Sequence, residues 1–330
     1  MPARLSDRAD RPLWRLAPML PKPPPRDSSP GFLYIPPYRI AGVSVAGETT
    51  SIQIPELDIC FDMGECPRAA LSSKYVAISH GHMDHVGGLA YYCSQRRFQG
   101  MGNGTIVCDA RIASAVQRMM AGFVDLEQQR TPYELIALEP DHQTEIKPNI
   151  FLRGFETEHT SPSFGYVIVE KRSKLKPELA NLPQEKLKEL KDRGQEITRT
   201  LEIPLIAYMG DTLPGPHLVR NDVRKAEIII CECTFFEPDH RERAKVGMHM
   251  HVHDIAEWLR VVECKAMILT HISRRTHLGY ARERLVEMIG PEKAKNVFLL
   301  MDNKFNRERY EQQEIAAGVV KPVKEAGAKR

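Results

Sequence analysis

Four potential metal ligands fall within six residues, in His80-Gly81-His82-Met83-Asp84-His85, directly after the apolar run Tyr75-Val76-Ala77-Ile78. Side chains alternate along an extended backbone, so a strand ending there turns His80 and His82 toward one point. Gly87-Gly88 lets the chain turn tightly before Leu89-Ala90-Tyr91-Tyr92 starts a helix, and this leaves Asp84 and His85 facing a second point nearby. Imidazole and carboxylate donors without a thiolate suit zinc or a similar divalent metal at a hydrolytic site, rather than a closed structural site.

The elements that must position further ligands are strand-like runs, each with a candidate just past its end. His159 follows residues 150–155, in Thr157-Glu158-His159-Thr160. Asp211 follows residues 204–209, in Gly210-Asp211-Thr212, and His271 follows residues 266–269, in Thr270-His271-Ile272-Ser273. Any one of these alone is more often structural. With the cluster they make five imidazoles and two carboxylates, enough for two metals sharing a bridge. His142, His217, His240 and His277 read as surface or loop residues, and His249, His251 and His253 alternate along one stretch.

Strand-like runs at residues 38–45, 50–54, 57–62 and 75–79 predict a meandering sheet. Helix and strand then alternate: a helix over 86–98, a strand over 105–108, and a helix over 110–120 capped by Asp109. Strands follow at 133–138, 150–155 and 165–170. Within residues 171–203 a helix is expected over 185–193, ending at Gly194, and after them strands at 204–209, 226–231, 266–269 and 297–301 interleave with helices at 252–263 and 282–289. Ligands at strand ends on one edge of a layered α/β structure is the usual way such sites are built. No repeat is visible in the sequence.

Composition sets bounds. The chain has 330 residues, 42% hydrophobic and 27% charged, ordinary for a globular protein with one large or two ordinary domains. No apolar run reaches the ~18 residues that span a bilayer, so no membrane association is expected. Seven scattered cysteines without a C-x-x-C pair fit a reduced, cytoplasmic setting, with Cys60, Cys108 and Cys231 as small buried thiols. Residues 1–30 are rich in Pro and Arg and read as a flexible extension. Positive charge gathers there and in residues 171–200, where nine basic side chains face five acidic ones. Such a balance suits a polyanionic partner, although basic helices are also common as plain solvated surface.

From about Tyr38 to His277 the sequence resembles the metallo-β-lactamase fold and, within it, the tRNase Z (ribonuclease Z) family, short form. The resemblance rests on Phe61-Asp62-Met63-Gly64, the histidine cluster, Phe164-Gly165-Tyr166-Val167, Gly210-Asp211-Thr212, Glu232-Cys233-Thr234-Phe235, His249-Met250-His251 and Thr270-His271-Ile272-Ser273-Arg274. It implies an αββα sandwich over residues 31–330 with a basic arm inserted at about 171–203. It also implies two Zn2+ ions, one held by His80, His82 and His159 and the other by Asp84, His85 and His271, with Asp211 bridging. Glu232 and His249 would then form the proton-donating pair at the leaving oxygen, with Asp84 also in the catalytic set, and Asp62 would support a ligand imidazole. The family's His-Phe-Ser-x-Arg-Tyr stands here as His271-Ile272-Ser273-Arg274-Arg275-Thr276, without the terminal aromatic.

The implied activity is zinc-dependent removal of 3′ trailers from precursor tRNA, with a metal-activated hydroxide attacking the phosphodiester. A homodimer is implied too, one subunit's arm holding tRNA cleaved by the other. Lys171, Arg172, Lys174, Lys176, Lys186, Lys188, Lys191 and Arg193 would grip phosphates with salt-sensitive, largely sequence-independent affinity. Two other readings stand beside this one. A dinuclear phosphodiesterase or esterase acting on a small molecule would keep the chemistry, and a non-catalytic RNA-binding protein would keep only the charge.

Overall fold

In the strand Tyr38–Val45, buried and half-buried residues alternate along its whole length, because one face meets a second sheet and the other does not. A computed structural model describes residues 30–319 of the chain. The expected extension over residues 1–30 lies outside these, apart from Pro30.

Seven strands form the first sheet in sequence order: β1 Gly31–Ile35, β2 Tyr38–Val45, β3 Thr49–Ile54, β4 Ile59–Phe61, β5 Tyr75–Ala77, β6 Gly104–Asp109 and β7 Tyr133–Leu138. Antiparallel pairing runs from β1 to β4 and parallel pairing from β4 to β7. The second sheet contains β8 Gln143–Lys147, β9 Ile150–Glu156, β10 Phe164–Leu175, β11 Thr198–Tyr208, β12 Ile228–Glu232, β13 Ala266–Thr270 and β14 Val297–Leu299. It repeats the plan, antiparallel from β8 to β11 and parallel from β11 to β14. The halves are thus topological repeats, although the sequence shows none.

One apolar core lies between the sheets, with Phe61, Tyr166, Ile168, Tyr208 and Ile230 among its members. Helices α1 Met83–Val86, α2 Leu89–Phe98 and α3 Ala110–Glu127 follow β5 and β6, and α2 and α3 cover the first sheet through Leu89, Tyr92, Cys93, Ile112 and Val116. Asp109 caps α3 by accepting from the Arg111 amide at 2.8 Å, as its sequence predicts. On the other side, α7 Val252–Trp258 and α8 Leu278–Ile289 pack Ile255, Trp258 and Leu285 against the second sheet. These are the layers of the expected sandwich. All seven cysteines are unpaired, and burial raises the Cys108 thiol to about 12, as expected of an inert buried thiol.

Elements that escaped the sequence reading include β1, β8, the short helices α5 Asn221–Arg224, α6 Arg241–Gly247 and α9 Pro291–Ala294, and the terminal helix α10 Asn303–Ala316, whose Tyr310 packs on Phe32 and Tyr34 of β1. The arm also differs from expectation. Its first and last residues continue β10 and β11, which stay paired from Glu170↔Ile203 out to Leu175↔Thr198. Alternation disappears there because the projecting ribbon has solvent on both faces. Beyond the ribbon lie a helical turn at Pro177–Leu179 and α4 Gln184–Asp192, with no buried residue in either.

The loop after β4 is laced to the turn that carries Asp84 and His85. The Met63 amide donates to the His85 carbonyl at 2.8 Å, the Gly64 amide to that of Thr50 at 2.9 Å, and the Gly88 amide to that of Met63 at 2.7 Å. At Gly64 a Cβ would fall 1.9 Å from the Asp84 carbonyl oxygen, so only glycine permits this approach. Gly64→Ala is therefore expected to cost about 1–3 kcal/mol, a fall of a few degrees in Tm by calorimetry. An unchanged Tm would show that the loop and the turn are not rigidly coupled.

Candidate metal centre

Every ligand predicted from the sequence lies past the end of a strand, and the two sheets bring those ends to one edge. His80 and His82 follow β5, Asp84 and His85 lie in α1, His159 follows β9, Asp211 follows β11 and His271 follows β13. Gly210 and His271 both turn in the left-handed region, at φ 61° and 54°, which swings Asp211 and His271 into the cavity. His80, His82 and His159 bring donor atoms together, as do Asp84, His85 and His271, while Asp211 joins His80 and His85 in a third grouping.

The distances suit divalent metals. His82 Nδ1 is 2.9 Å from His80 Nε2 and 3.3 Å from His159 Nε2. Asp211 Oδ2 is 3.3 Å from His85 Nε2, 3.2 Å from His271 Nε2 and 3.9 Å from His80 Nε2. Asp84 Oδ2 is 3.4 Å from His271 Nε2 and 3.6 Å from His85 Nε2. Ligands about 2.0–2.1 Å from a tetrahedral zinc are about 3.3 Å from one another, so these separations match the edges of such sites. His85 Nε2 adds an independent sign, because it is buried with no hydrogen-bond partner while it faces two carboxylates. An orphaned polar atom in that position is what an open metal site leaves behind.

Outer partners fix which nitrogen of each ring faces inward. Ser79 Oγ donates its one proton to Asp62 Oδ2 at 2.8 Å, so at 3.0 Å it accepts from His80 Nδ1–H. His85 Nδ1 donates to Asp62 Oδ2 at 2.8 Å, and His159 Nδ1 to the Met248 carbonyl at 3.0 Å. Thr234 Oγ1 lies 2.8 Å from Glu232 Oε2 and 3.1 Å from His271 Nδ1, so the carboxylate takes the hydroxyl proton and the hydroxyl accepts from the ring. His82 is reversed, with Nε2 on Thr160 Oγ1 at 3.2 Å and Nδ1 inward. All five rings can thus present a lone pair to the cavity.

The electrostatics are those of titratable groups crowded together at a largely buried site. Burial and the neighbouring His85 push His80 down to about 2, keeping its ring neutral. Burial acts to raise Asp84, but the His271 hydrogen bond and the His85 charge override it and pull the carboxyl down to about 2. Burial likewise opposes ionisation of Asp211, and His271 and His85 nevertheless hold it well below the usual carboxylate range. At His85, burial is outweighed by Asp211 and Asp62, which hold the ring well above the usual histidine range. A cation bound among these groups takes over the neutralisation that a proton on His85 otherwise supplies.

Glu232 and His249 also meet, at 2.8 Å between Oε1 and Nδ1. Burial acts to lower His249, yet the Glu232 carboxylate raises it to about 9. Its ring stacks 5.2 Å from His271 and lies 5.2 Å from His159, at the mouth of the cluster. His251 instead caps α7 and donates from Nε2 to the Glu237 carbonyl at 2.9 Å, and His253 lies in the first turn of that helix.

His217 corrects the sequence reading. Far from being a surface or loop residue, it is buried in a helical turn at Pro216–Val219 with its ring on Phe155. Its Nε2 donates at 3.1 Å to Thr212 Oγ1, which donates to the Leu213 carbonyl and accepts from the Glu158 amide. One hydroxyl therefore locks the loops of Asp211 and His159 together. Nothing in a lone histidine of a Pro-Gly-Pro-His stretch signals that burial.

The arm cations divide into two sets. Lys171 pairs with Glu202 and lies over the Phe151 ring, Arg172 pairs with Glu170, Lys176 with Glu196, and Arg193 with Glu189. Among the described residues no ion pair engages Lys174, Lys186, Lys188 or Lys191. No helix among those residues is long and apolar enough to cross a membrane.

Thr234→Val removes the hydroxyl between Glu232 and His271 while nearly keeping volume. Zinc affinity measured by competition with a chromophoric chelator is expected to fall about 10–100-fold. Unchanged affinity would show that the His271 ring is oriented without Thr234.

Comparison with known proteins finds relatives in sequence and in fold. The family described as Anti-Pycsar protein Apyc1 matches residues 58–293. The chain is 34% identical over 261 residues to the chloroplastic tRNase Z TRZ2 of Arabidopsis thaliana, covering 78% of this chain and 74% of that one. Among solved structures, the metallo-β-lactamase fold protein YhfI of Bacillus subtilis superposes with a TM-score of 0.53 at 14% identity, covering 78% of this chain and 93% of that one. The short form of human tRNase Z gives 0.51 at 16% identity, covering 79% and 95%. The chain belongs to the tRNase Z (ribonuclease Z) family of metal-dependent hydrolases with the metallo-β-lactamase fold, and to the family that the Apyc1 match describes.

Proposed function

We propose that this protein is an endoribonuclease that removes 3′ trailers from precursor tRNA, working through two zinc ions held by His80, His82, Asp84, His85, His159, Asp211 and His271. The observation that carries the reading is the convergence of these donor atoms, each ring's other nitrogen already engaged, at one edge of the sandwich. A divalent pair, when bound, supplies an activated water and neutralises charge on the phosphoryl oxygens.

The remaining chemistry falls to the protein. In-line attack forms a bond from the water oxygen to phosphorus and breaks the bond to the 3′-oxygen of the tRNA, which needs a proton. His249 is held by Glu232 with its Nε2 free to donate that proton. Glu232 is itself fixed by the Thr212 amide at 3.0 Å, the Thr234 amide at 3.2 Å and the Thr234 hydroxyl. It thus orients the acid without swinging toward substrate.

In this reading Lys174, Lys186, Lys188 and Lys191 contact tRNA phosphates, while the ion-paired cations of the arm stiffen it. The proposed assembly is a homodimer, checked by light scattering, in which an arm serves the partner's site; a monomer that cleaves at full rate would count against it. A cytoplasmic placement belongs to the same reading, to be tested by fractionation, although the Arabidopsis relative is chloroplastic by name.

End-labelled precursor tRNA is expected to be cut just after the discriminator base, and folded Asp211→Ala protein to cut at least about 100-fold more slowly. Removing residues 174–199 joins the ribbon at the Ser173↔Thr200 pair. Precursor cleavage is then expected to fall at least about tenfold while a small bis-aryl phosphodiester is still hydrolysed. Intact precursor beside rapid turnover of the small diester would favour a small-molecule phosphodiesterase instead.

A further inference from the structure

Next to His249 a cleft of about 230 Å³ runs between the loop Leu213-Pro214, just past Asp211, and the face of α6 Arg241–Gly247 that carries Arg241, Ala244 and Lys245. The three cations of this helix are not equivalent. Arg243 lies over the Phe235 ring, 5.8 Å from its centroid, and Lys245 pairs with Glu242 at 2.7 Å. Arg241 is exposed, lines the cleft, and has no carboxylate within ion-pair distance among the described residues. Asp254, the one acid lining the cleft, has Oδ2 committed to the His251 amide at 2.9 Å.

We infer that this cleft is a subsite for one backbone phosphate of the RNA, on the tRNA side of the scissile bond, with Arg241 as its contact. The inference rests on the ribonuclease reading and deepens it. If His249 gives its proton to the departing 3′-oxygen, the nucleotide bearing that oxygen, the discriminator, lies on the His249 side of the metals. Its own 5′-phosphate is the next negative charge along the strand. A cleft of this size admits one phosphodiester unit of a single strand and not a duplex. A guanidinium unspent on a carboxylate can make the bidentate contact a phosphate accepts. Such a contact would set the register of the strand and so select which bond meets the metals.

A cycle with modified RNA tests this. Precursor tRNA is made with a neutral methylphosphonate at the linkage directly 5′ of the discriminator nucleotide, or at the first linkage inside the trailer, and each is cut by wild-type and Arg241→Ala full-length protein. Arg241→Ala on unmodified RNA and the upstream methylphosphonate on wild-type protein are each expected to lower kcat/KM about tenfold, and together to lower it no further than either alone. Arg241→Lys should recover part of the loss, and zinc affinity should be unchanged, which separates lost contact from misfolding. Losses that multiply to about 100-fold, or coupling to the trailer linkage instead, would overturn the subsite. Absence of cleavage of any precursor by wild-type protein would overturn the ribonuclease reading itself.

Discussion

A single buried carboxylate, that of Asp62, holds the two sheets and the histidine–aspartate cluster in one arrangement. It accepts from the Ser79 amide at 2.7 Å, the Ser79 hydroxyl, His85 Nδ1 and the Tyr208 hydroxyl, the last coming from the opposite sheet. An ionised group this deep costs several kcal/mol unless its lone pairs are filled. Here four donors fill them, and all four must be in place together. The group also reads out as chemistry, because its Oδ2 dictates which nitrogens of His80 and His85 carry protons, directly at His85 and through the Ser79 hydroxyl at His80. Asp62 holds a left-handed φ of 55°, a conformation that Asp tolerates better than a bulky side chain.

The second half of the molecule answers with Glu232. Each sheet has four antiparallel strands followed by three parallel ones, and in each a buried carboxylate at the end of a central strand, Asp62 just past β4 and Glu232 closing β12, reaches a histidine of the cluster through a hydroxyl. In the first half the path is Asp62, Ser79, His80, and in the second it is Glu232, Thr234, His271. Neither hydroxyl faces the cavity, yet each decides which way an imidazole presents its lone pair. Thr212 closes the frame by binding Glu158, His217 and Glu232 with its hydroxyl and amide. The cluster is therefore gripped from both sheets before any metal arrives, which is the preorganisation a hydrolytic centre needs.

Much of this was legible in the sequence, for definable reasons. The parallel strands β12 and β13 are buried on both faces and so read as unbroken apolar runs, and metal chemistry restricts residue type enough that His80, His82, Asp84 and His85 stand out. Ser79, Thr212 and Thr234 could not stand out, since serine and threonine are common in turns and these roles depend on partners 17 to 54 residues away. His217 was misread because its burial comes from tertiary contact with Phe155 and Thr212, not from local pattern. The arm strands and α10 were missed or shortened for one shared reason: a ribbon wet on both faces and a helix with only Asn306 and Tyr310 buried lack the periodicity that marks an element.

We propose that the converged histidines and aspartates work as a two-metal centre on RNA. The most direct measurement is zinc titration of chelator-stripped protein, with bound metal counted and precursor tRNA cleavage followed in the same samples. The two-metal reading predicts two zinc equivalents per subunit, with cleavage rising to its plateau only as the second is taken up. Full cleavage by metal-free protein, or saturation with zinc and no cleavage, would contradict it.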